Sequence, residues 1–210
     1  MRRLVLVRHA ETTWNAEGRI QGHAGSPLSE RGLAQAERLG AALAERHPAA
    51  RLVASDLERT LATAAPYAAA LGVAPEPDPG LRERAFGDWE GRTRDEVAAG
   101  DPGRWARWRE GDDTVVGEVG GETAEVLVER VVAALDRWLA TIDDGEVLVA
   151  VTHGGPIWFG LHALLDLGAG RLGGVDNASL TELTVDAAPA GTVGVAGAGT
   201  VLERWNEVGH

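Results

Sequence analysis

The chain of 210 residues contains no cysteine. Disulfide frameworks, cysteine nucleophiles and thiolate metal sites are therefore all excluded. The chain also contains no lysine, because all 20 of its basic residues are arginine. The lack of lysine excludes the phosphate-binding loop that depends on a lysine, Schiff-base chemistry, and enzymes that hold pyridoxal phosphate through a lysine.

Positive charge and long apolar runs are also scarce. The formal net charge is −12 at pH 7, and both nucleic acid and anionic membranes need an extended basic surface, so we expect neither as a partner. No stretch reaches the roughly 20 apolar residues of a membrane span, and the N-terminus is typical of a strand rather than of a signal peptide. We therefore expect a cytoplasmic protein, and the length fits a single domain over residues 1–210.

Two predicted strands end in a similar way. The apolar residues 4–7 run into Arg8 and His9, and a second apolar run, residues 146–151, is followed by a threonine and His153. In open α/β sheets the ligand crevice lies beyond the carboxyl ends of the strands, so we expect both imidazoles at one crevice. Two histidines and an arginine at that place indicate phosphate chemistry.

The pattern of apolar, capping and helix-breaking residues predicts an α/β order for the rest of the chain. Gly120, Gly121 and Glu122 are expected to open a long core-facing helix that ends near residue 141. Residues 73–119, rich in proline, glycine and tryptophan, are expected to form a small helical cap over the crevice. The other helices are predicted at about residues 30–46, 56–71, 94–99, 102–109 and 156–165, the other strands at about 51–55, 178–185 and 200–205, and a loose loop at 187–199.

Arg59 is placed by a predicted helix cap. Asp56 can cap the helix that ends at Gly72, which puts Arg59 in the first turn and at the same sheet edge as His9. A cation near a helix N-terminus is unfavourable by about 0.3–1 kcal/mol. We therefore interpret Arg59 as a ligand for an anion.

These residues together supply the groups that phosphoryl transfer needs: a nucleophile, positive charge on the phosphoryl oxygens, and a proton for the leaving alkoxide. We predict His9 as the nucleophile, because neutral imidazole can attack phosphorus without a metal and form a phosphohistidine. Arg8 and Arg59 can hold the phosphoryl oxygens through their guanidinium forks. Glu83, a carboxyl that a partly buried site could keep protonated, is the candidate acid.

Further groups can complete the phosphate pocket. His153, if protonated, adds a third positive group, and the Gly154 N–H at a helix N-terminus adds a neutral donor. Asn15 can reach back to the pocket as another donor, and Gln21 and Gly22 are further candidates for substrate binding. No metal and no cofactor are expected, because no histidine pair has the i, i+4 spacing of the helical zinc motif.

Each candidate also has a structural interpretation. A single histidine after a strand is more often a hydrogen-bonded structural residue than a catalyst, and Glu83 among arginines could be an ion-pair partner. Trp105 and Trp108 could form a substrate lid, but a tryptophan pair at i, i+3 is more often packing, so we assign them to a core. His23 and His162 are interpreted as structural.

Six segments together resemble the signatures of the histidine phosphatase superfamily, the phosphoglycerate-mutase-like proteins. They are residues 6–15 (LVRHAETTWN), 27–32 (PLSERG), 54–60 (ASDLERT), 81–91 (LRERAFGDWEG), 120–123 (GGET) and 151–155 (VTHGG). The resemblance implies a three-layer α/β/α sandwich with a mostly parallel, mixed sheet and no metal requirement. By the same resemblance the site residues are His9 as the phosphorylated group, Arg8, Arg59 and His153 in the phosphate pocket, Glu83 as the acid/base, and Asn15 and Gly154 as assisting groups.

The resemblance leaves two reactions open, phosphomonoester hydrolysis and the phosphoglycerate mutase reaction. Only 38 residues separate Glu83 from Glu122, and they contain no adjacent arginine pair that could hold a substrate carboxylate. A short cap leaves a phosphohistidine open to water, so we predict a phosphatase. The mutase is the alternative, and a non-catalytic phospholigand-binding regulatory relative is a further one.

The tail is similar to that of actinobacterial members of the family. Residues 173–183 (GGVDNASLTEL), followed by Trp205 and Asn206, carry this similarity, and glucosyl-3-phosphoglycerate phosphatases are among those members. The expected partner is a small phosphorylated metabolite. Sugar phosphates, phosphoglycerate derivatives and ribazole phosphate remain open as substrates, and a homodimer remains open as the assembly.

Overall fold

A six-stranded mixed sheet forms the centre of the computed structural model, which describes residues 1–168, 171–186 and 199–209. Its strands are β1 (Arg2–Arg8), β2 (Arg51–Ala54), β3 (Glu76–Pro77), β4 (Val147–Thr152), β5 (Leu180–Val185) and β6 (Thr200–Glu207). Across the sheet their order is β3-β2-β4-β1-β5-β6. The first four strands in that order run parallel, β5 runs antiparallel to β1, and β6 runs antiparallel to β5. Because β1 and β4 are central, the residues that follow them lie in the middle of one sheet edge.

Helices cover both faces of this sheet. The described helices are α1 (Thr13–Ala16), α2 (Glu30–Arg46), α3 (Glu58–Leu71), α4 (Arg94–Gly100), α5 (Pro102–Arg109), α6 (Thr114–Glu118), α7 (Ala124–Leu139) and α8 (Gly154–Leu164). Side chains of β1 alternate between the faces: Leu4 and Leu6 pack with α7 and α8, and Val5 and Val7 pack with α2 and α3. Full burial of each leucine contributes about 1.5–3 kcal/mol to folding. The predicted three-layer α/β/α sandwich is confirmed.

Helix α7 begins later than the sequence predicts. The predicted start at residues 120–122 fails because Gly120 has a φ of 77°, in the left-handed region. The helix begins at Ala124, where the Thr123 hydroxyl accepts the Val126 N–H at 3.5 Å and caps the first turn. The apolar face predicted for this helix packs on the sheet as expected.

Asp56 does not cap α3, contrary to the prediction. The N-cap is Leu57, which makes no side-chain cap bond, and Asp56 accepts two hydrogen bonds from Arg82 at 2.7 and 2.5 Å. This bonding to Arg82 lowers the pKa of Asp56. These two hydrogen bonds also connect the start of α3 to Arg82, the residue before Glu83. Gly72 ends the helix in the left-handed conformation, as predicted.

Helices α4, α5 and α6 share a small apolar core of their own. Trp89 is fully enclosed in it, and the ring centroids of Trp105 and Trp108 lie 6.2 and 5.5 Å from that of Trp89. Both tryptophans therefore pack in a core, as predicted, and Trp108 also lines the cleft next to His9. The division into one domain with a cap at residues 73–119 stays a prediction.

Short elements and element ends account for the other differences. The short elements α1, β3 and α6, of four, two and five residues, are absent from the sequence prediction. β5 begins at Leu180 because Ala178 has a φ of 55° and interrupts the strand, and β6 extends to Glu207. The loop predicted at 187–199 lies outside the described residues, apart from Gly199. Within the described ranges, no helix combines the length and apolar character that a membrane crossing needs.

Candidate active site

The two central strands end side by side at one edge of the sheet. Arg8 on β1 is in register with Thr152 on β4, and the His9 N–H donates to the Thr152 carbonyl at 2.9 Å. His153 comes next, and its ring lies edge-on to the His9 ring with the centroids 5.2 Å apart. Arg59 reaches the same place from the first turn of α3. The sheet therefore brings the two predicted histidines and both predicted arginines together.

A cleft of about 410 Å³ opens at this edge. Seven of the residues predicted from the sequence line it: Arg8, His9, Asn15, Gln21, Gly22, Arg59 and Glu83. The rest of the lining is Gly18, Arg19, Ile20, Phe86, Arg94 and Trp108. The other two predicted residues are not part of the lining: His153 is fully buried, and a Cβ at Gly154 would lie 3.5 Å from Arg8 Nε.

His9 is buried and its tautomer is determined by one hydrogen bond. Its Nδ1 lies 2.8 Å from the Ala10 carbonyl oxygen. A carbonyl can only accept, so Nδ1 carries the proton and Nε2 holds the lone pair of the neutral ring. Burial, together with the charges of Arg8 and Arg59, holds the pKa of His9 well below its usual value. At neutral pH the ring is therefore neutral, with Nε2 available as a nucleophile.

His153 is fully buried beside His9. Its Nε2 lies 2.9 Å from Ser55 Oγ, and the Ser55 hydroxyl can donate to Nε2, which leaves the proton of a neutral ring on Nδ1. Burial, with Arg59 and His9 nearby, holds the pKa of His153 well below its usual value. The His153 ring is therefore neutral at neutral pH, so the third positive charge that depended on its protonation is absent. Ser55 was not among the predicted site residues, although the ASDLERT segment contains it.

Arg8 and Arg59 form no ion pair with a carboxylate of the described residues. Arg59 is 3% exposed and donates to the carbonyls of Gly22 at 2.7 Å and Ala24 at 3.2 Å. Burial lowers the pKa of Arg59 to about 10, so the side chain stays charged at neutral pH. Arg8 donates to the Val175 carbonyl. In the described part of the chain, neither guanidinium lies within 4 Å of a carboxylate oxygen, and the charges of Glu83 and Asp176 act on Arg8, and those of Glu83 and Glu90 on Arg59, from a greater distance.

Glu83 is held at the N-terminus of α8. Its two carboxylate oxygens lie 3.1 and 3.3 Å from the Gly155 nitrogen, and Oε1 also accepts the Arg84 N–H at 2.9 Å. A Cβ at Gly155 would lie 2.3 Å from Glu83 Oε1, so this close approach requires glycine. Glu83 forms no ion pair within 4 Å with any described arginine, although its charge acts on Arg8 and Arg59. The Gly155 amide is thus used by the protein's own carboxylate.

The loop that carries Gln21 and Gly22 is fixed by a residue that the sequence analysis missed. Glu90 Oε1 accepts the N–H groups of His23 and Phe86 at 3.0 and 2.9 Å, and Oε2 accepts the Ala24 N–H at 2.7 Å. Gln21 is buried and its Oε1 has no partner in the part of the chain that is described. His23 is structural as predicted: its Nε2 lies 3.0 Å from the Glu83 carbonyl oxygen.

Several buried polar atoms of the site have no partner within the described residues. They are Arg8 Nε, Arg59 Nε, His153 Nδ1 and Gln21 Oε1. Buried polar groups normally form hydrogen bonds. The two arginine nitrogens can only donate, and His153 Nδ1 donates when its Nε2 accepts from Ser55, so these three atoms match an oxyanion, whereas Gln21 Oε1 is an acceptor. No three His, Asp or Glu side chains of the described chain are grouped so that they could hold a metal ion. The site can hold a phosphoryl group through N–H donors and positive charge.

Asn15 lies on the cleft wall and forms a capping box with Thr12 at the start of α1. Asn177, which the sequence analysis did not single out as a site residue, donates to Asn15 Oδ1 at 3.2 Å. The two asparagines are separated by 162 positions in the chain. No local pattern could have predicted this contact. It forms only because the segment just before β5 comes back beside the end of β1, with which β5 pairs.

Comparison with known proteins agrees with this geometry. The family model for the histidine phosphatase superfamily (branch 1) matches residues 4–195. A glucosyl-3-phosphoglycerate phosphatase of Mycobacterium tuberculosis (strain CDC 1551 / Oshkosh) is 36% identical over 198 residues, which cover 90% of this chain and 87% of that protein. A metal-independent phosphoserine phosphatase of Arabidopsis thaliana is 37% identical over 154 residues, 72% of this chain and 64% of that protein. A solved structure of mycobacterial glucosyl-3-phosphoglycerate phosphatase with VO3 has a TM-score of 0.84 and 32% identity, covering 98% of this chain and 99% of that one.

Proposed function

Since this chain belongs to the histidine phosphatase superfamily and is a phosphomonoester phosphatase, we propose that His9 attacks the phosphorus of its substrate through Nε2. The Nε2 lone pair forms the N–P bond while the ester P–O bond breaks. The leaving alkoxide takes the electron pair of that bond and a proton from Glu83. The observation that supports this role is the neutral His9 ring, whose Nε2 carries the lone pair and which lies under the influence of the charged Arg8 and Arg59.

The second step uses the same groups in reverse. Water attacks the phosphorus of the phosphohistidine and gives a proton to the Glu83 carboxylate. The N–P bond breaks, and its electron pair returns to Nε2. Arg8 and Arg59 hold the phosphoryl oxygens in both steps, with Asn15 and His153 as neutral donors. Each bond formed is balanced by one broken, and no metal takes part.

We infer glucosyl-3-phosphoglycerate as the substrate. Such a molecule carries a carboxylate and a sugar ring besides the phosphate, and the cleft wall offers a group for each. Arg94 lines the cleft and has neither a hydrogen bond nor an ion pair within the described ranges, so it can bind a carboxylate. Trp108 presents an aromatic side chain, which suits the C–H face of a sugar. The relatives of that name support the same substrate.

The experiment that tests this function measures phosphate release in EDTA. The panel contains glucosyl-3-phosphoglycerate, 3-phosphoglycerate, phosphoserine and glucose 6-phosphate. We expect release in the presence of the chelator, fastest with the first compound, and none from His9→Ala because that variant lacks the nucleophile. The control is the circular dichroism spectrum, since His9 supplies little core volume and the variant should stay folded.

Other outcomes of this assay would contradict parts of the proposal. Near-normal rates for His9→Ala would exclude the phosphohistidine step, and loss of activity in EDTA would exclude the metal-independent mechanism. Conversion of 3-phosphoglycerate to 2-phosphoglycerate without phosphate release would establish the mutase. Bound substrate without turnover would establish a regulatory binding protein.

Two less specific expectations belong to the same proposal. We propose that the enzyme acts in the cytoplasm on a small phosphorylated metabolite. A homodimer is the proposed assembly. Light scattering of the purified protein measures the molar mass directly, and the mass of a monomer would contradict this proposal.

A further inference from the structure

Asn177 joins two parts of the site that come from distant segments. Its Nδ2 group donates to the His9 carbonyl at 3.0 Å and to Asn15 Oδ1 at 3.2 Å. An amide NH2 has two hydrogens, so a single group can serve both acceptors. One side chain therefore links the main chain of the proposed nucleophile to a side chain on the cleft wall.

The neighbours of Asn15 determine how its carboxamide is oriented. The Thr12 nitrogen and hydroxyl oxygen each lie 3.1 Å from Asn15 Oδ1. A main-chain N–H can only donate, and so can Asn177 Nδ2, so the atom that faces them is oxygen. Asn15 Nδ2 is then left for the cleft, which Asn15 lines, and no described residue bonds to it.

We propose that Asn177 is a positioning residue: it holds the Asn15 carboxamide so that Nδ2 donates to the phosphoryl group transferred to His9. The inference rests on the proposed phosphatase mechanism. Without Asn177, Thr12 alone holds the carboxamide, and no shared group fixes Asn15 relative to His9. The donor then loses its alignment with the phosphoryl oxygen, although it is still present.

The loop that carries Asn177 has other attachments. The Asp176 N–H donates to Asn206 Oδ1 at 2.7 Å, and Asn206 Nδ2 donates to Asp176 Oδ2 at 2.7 Å. The Ala178 N–H donates to the His9 carbonyl at 3.2 Å. None of these bonds uses the Asn177 side chain, so its truncation leaves the loop attached. Asn206 is a matched control, because it is the same residue type, holds the same loop and does not line the cleft.

The test is a double-mutant cycle of Asn177→Ala and Asn15→Ala, measured as the affinity for orthovanadate, a probe of the phosphoryl transition state. We expect Asn177→Ala to weaken vanadate binding about 5-fold, the size of one neutral hydrogen bond. With Asn15 already alanine, we expect the same change to weaken it less than about 2-fold. Asn177→Asp places an acceptor against two acceptors, so it should weaken binding more than Asn177→Ala does.

The outcomes distinguish this proposal from a general loosening of the loop and from a failure of the hydrolytic mechanism. Equal losses in the two backgrounds would overturn it, because Asn177 would then not act through Asn15. Asn206→Ala should lower the melting temperature and leave vanadate affinity within about 2-fold, as expected for a residue that holds the loop without lining the cleft. If it weakens binding as much as Asn177→Ala does, loosening of the loop explains both effects and the proposal fails. Vanadate binding without phosphate release by the wild type would overturn the hydrolytic mechanism alone.

Discussion

At the scale of single residues, Arg107 and Arg94 show two different uses of arginine. Arg107 lies 2.8 Å from carboxylate oxygens of both Asp112 and Glu118. Arg94 lines the cleft and forms no ion pair within the described residues. Exposed ion pairs contribute little to stability, about 0–1 kcal/mol each, whereas a guanidinium left unpaired at a cleft is available for a ligand. Arg94 is therefore a candidate for substrate binding.

Arg94→Ala is predicted to impair only substrates that carry a carboxylate. We expect the KM for glucosyl-3-phosphoglycerate to rise about 10-fold, because a charge-assisted hydrogen bond contributes about 1.5–3 kcal/mol. The KM for p-nitrophenyl phosphate, which has no carboxylate, should stay unchanged. Steady-state kinetics with both substrates measure this difference.

Arg92→Ala is the matched control for this variant. Arg92 is exposed, lies two positions away and is not part of the cleft lining. We expect wild-type kinetics from it with both substrates. An equal rise of KM for p-nitrophenyl phosphate in Arg94→Ala would show that Arg94 supports the phosphate pocket rather than the carboxylate.

At the scale of elements, helix α8 links the sheet to the acid. Its first turn follows His153 directly, and its Gly155 nitrogen lies within hydrogen-bonding distance of both oxygens of Glu83. The same strand-to-helix junction therefore positions His153 on one side and the proposed acid/base on the other.

Gly155→Ala is predicted to remove the acid without unfolding the protein. The new Cβ would lie 2.3 Å from Glu83 Oε1, at the free end of a flexible side chain, so Glu83 is displaced while the backbone stays. We expect kcat to fall about 100-fold for an alkyl phosphate, as for the loss of a general acid. The fall should be much smaller for p-nitrophenyl phosphate, whose leaving group needs no proton.

Gly103→Ala is the control for this change. It lies in the first turn of α5, and a Cβ there meets nothing within 4 Å. We expect unchanged kinetics and a gain of up to about 1 kcal/mol in the free energy of unfolding, because alanine favours helix. Equal losses of kcat with both substrates in Gly155→Ala would rule out displacement of the acid as the cause.

Prediction from sequence succeeds where the signal is local. The bounds of α2 follow from Ser29 and the apolar period, and the structure reproduces them. β3 and α6 are too short for any period to appear. Asp56 was predicted as a helix cap because aspartate is a favourable capping residue. Its carboxylate instead accepts a hydrogen bond from Arg82, which the local sequence does not indicate. Asn177 could not be found, because its role comes from a contact across 162 positions.

At the scale of the whole molecule, burial of imidazoles makes stability depend on pH. Burial lowers the pKa values of His9, His153 and His47 in the folded state. The unfolded chain, in which histidine has a pKa of about 6.5, therefore binds more protons than the folded one as the pH falls. The stabilisation is fully present above about pH 6.5 and is lost progressively below it, as the pH approaches the lowered folded-state values.

We predict that the free energy of unfolding in urea falls between pH 7.5 and pH 5.5, a range chosen to span about pH 6.5. His47→Gln should reduce this dependence, because His47 lies away from the cleft and contributes one of the three buried rings. The acid limb of kcat/KM should be the same in this variant as in the wild type. A flat stability profile in the wild type would contradict the lowered pKa values.

The order of strands has a consequence for how the chain is made. β1 pairs on one side with β4 and on the other with β5, so both partners of the first strand come from the last third of the sequence. At a synthesis rate of about 5–20 residues per second, β1 waits on the order of ten seconds or more before either partner exists. During that time an apolar strand with two unpaired edges is exposed to other nascent chains. The strand that leads into the proposed nucleophile is thus the one whose first partner in the sheet is made after the longest delay.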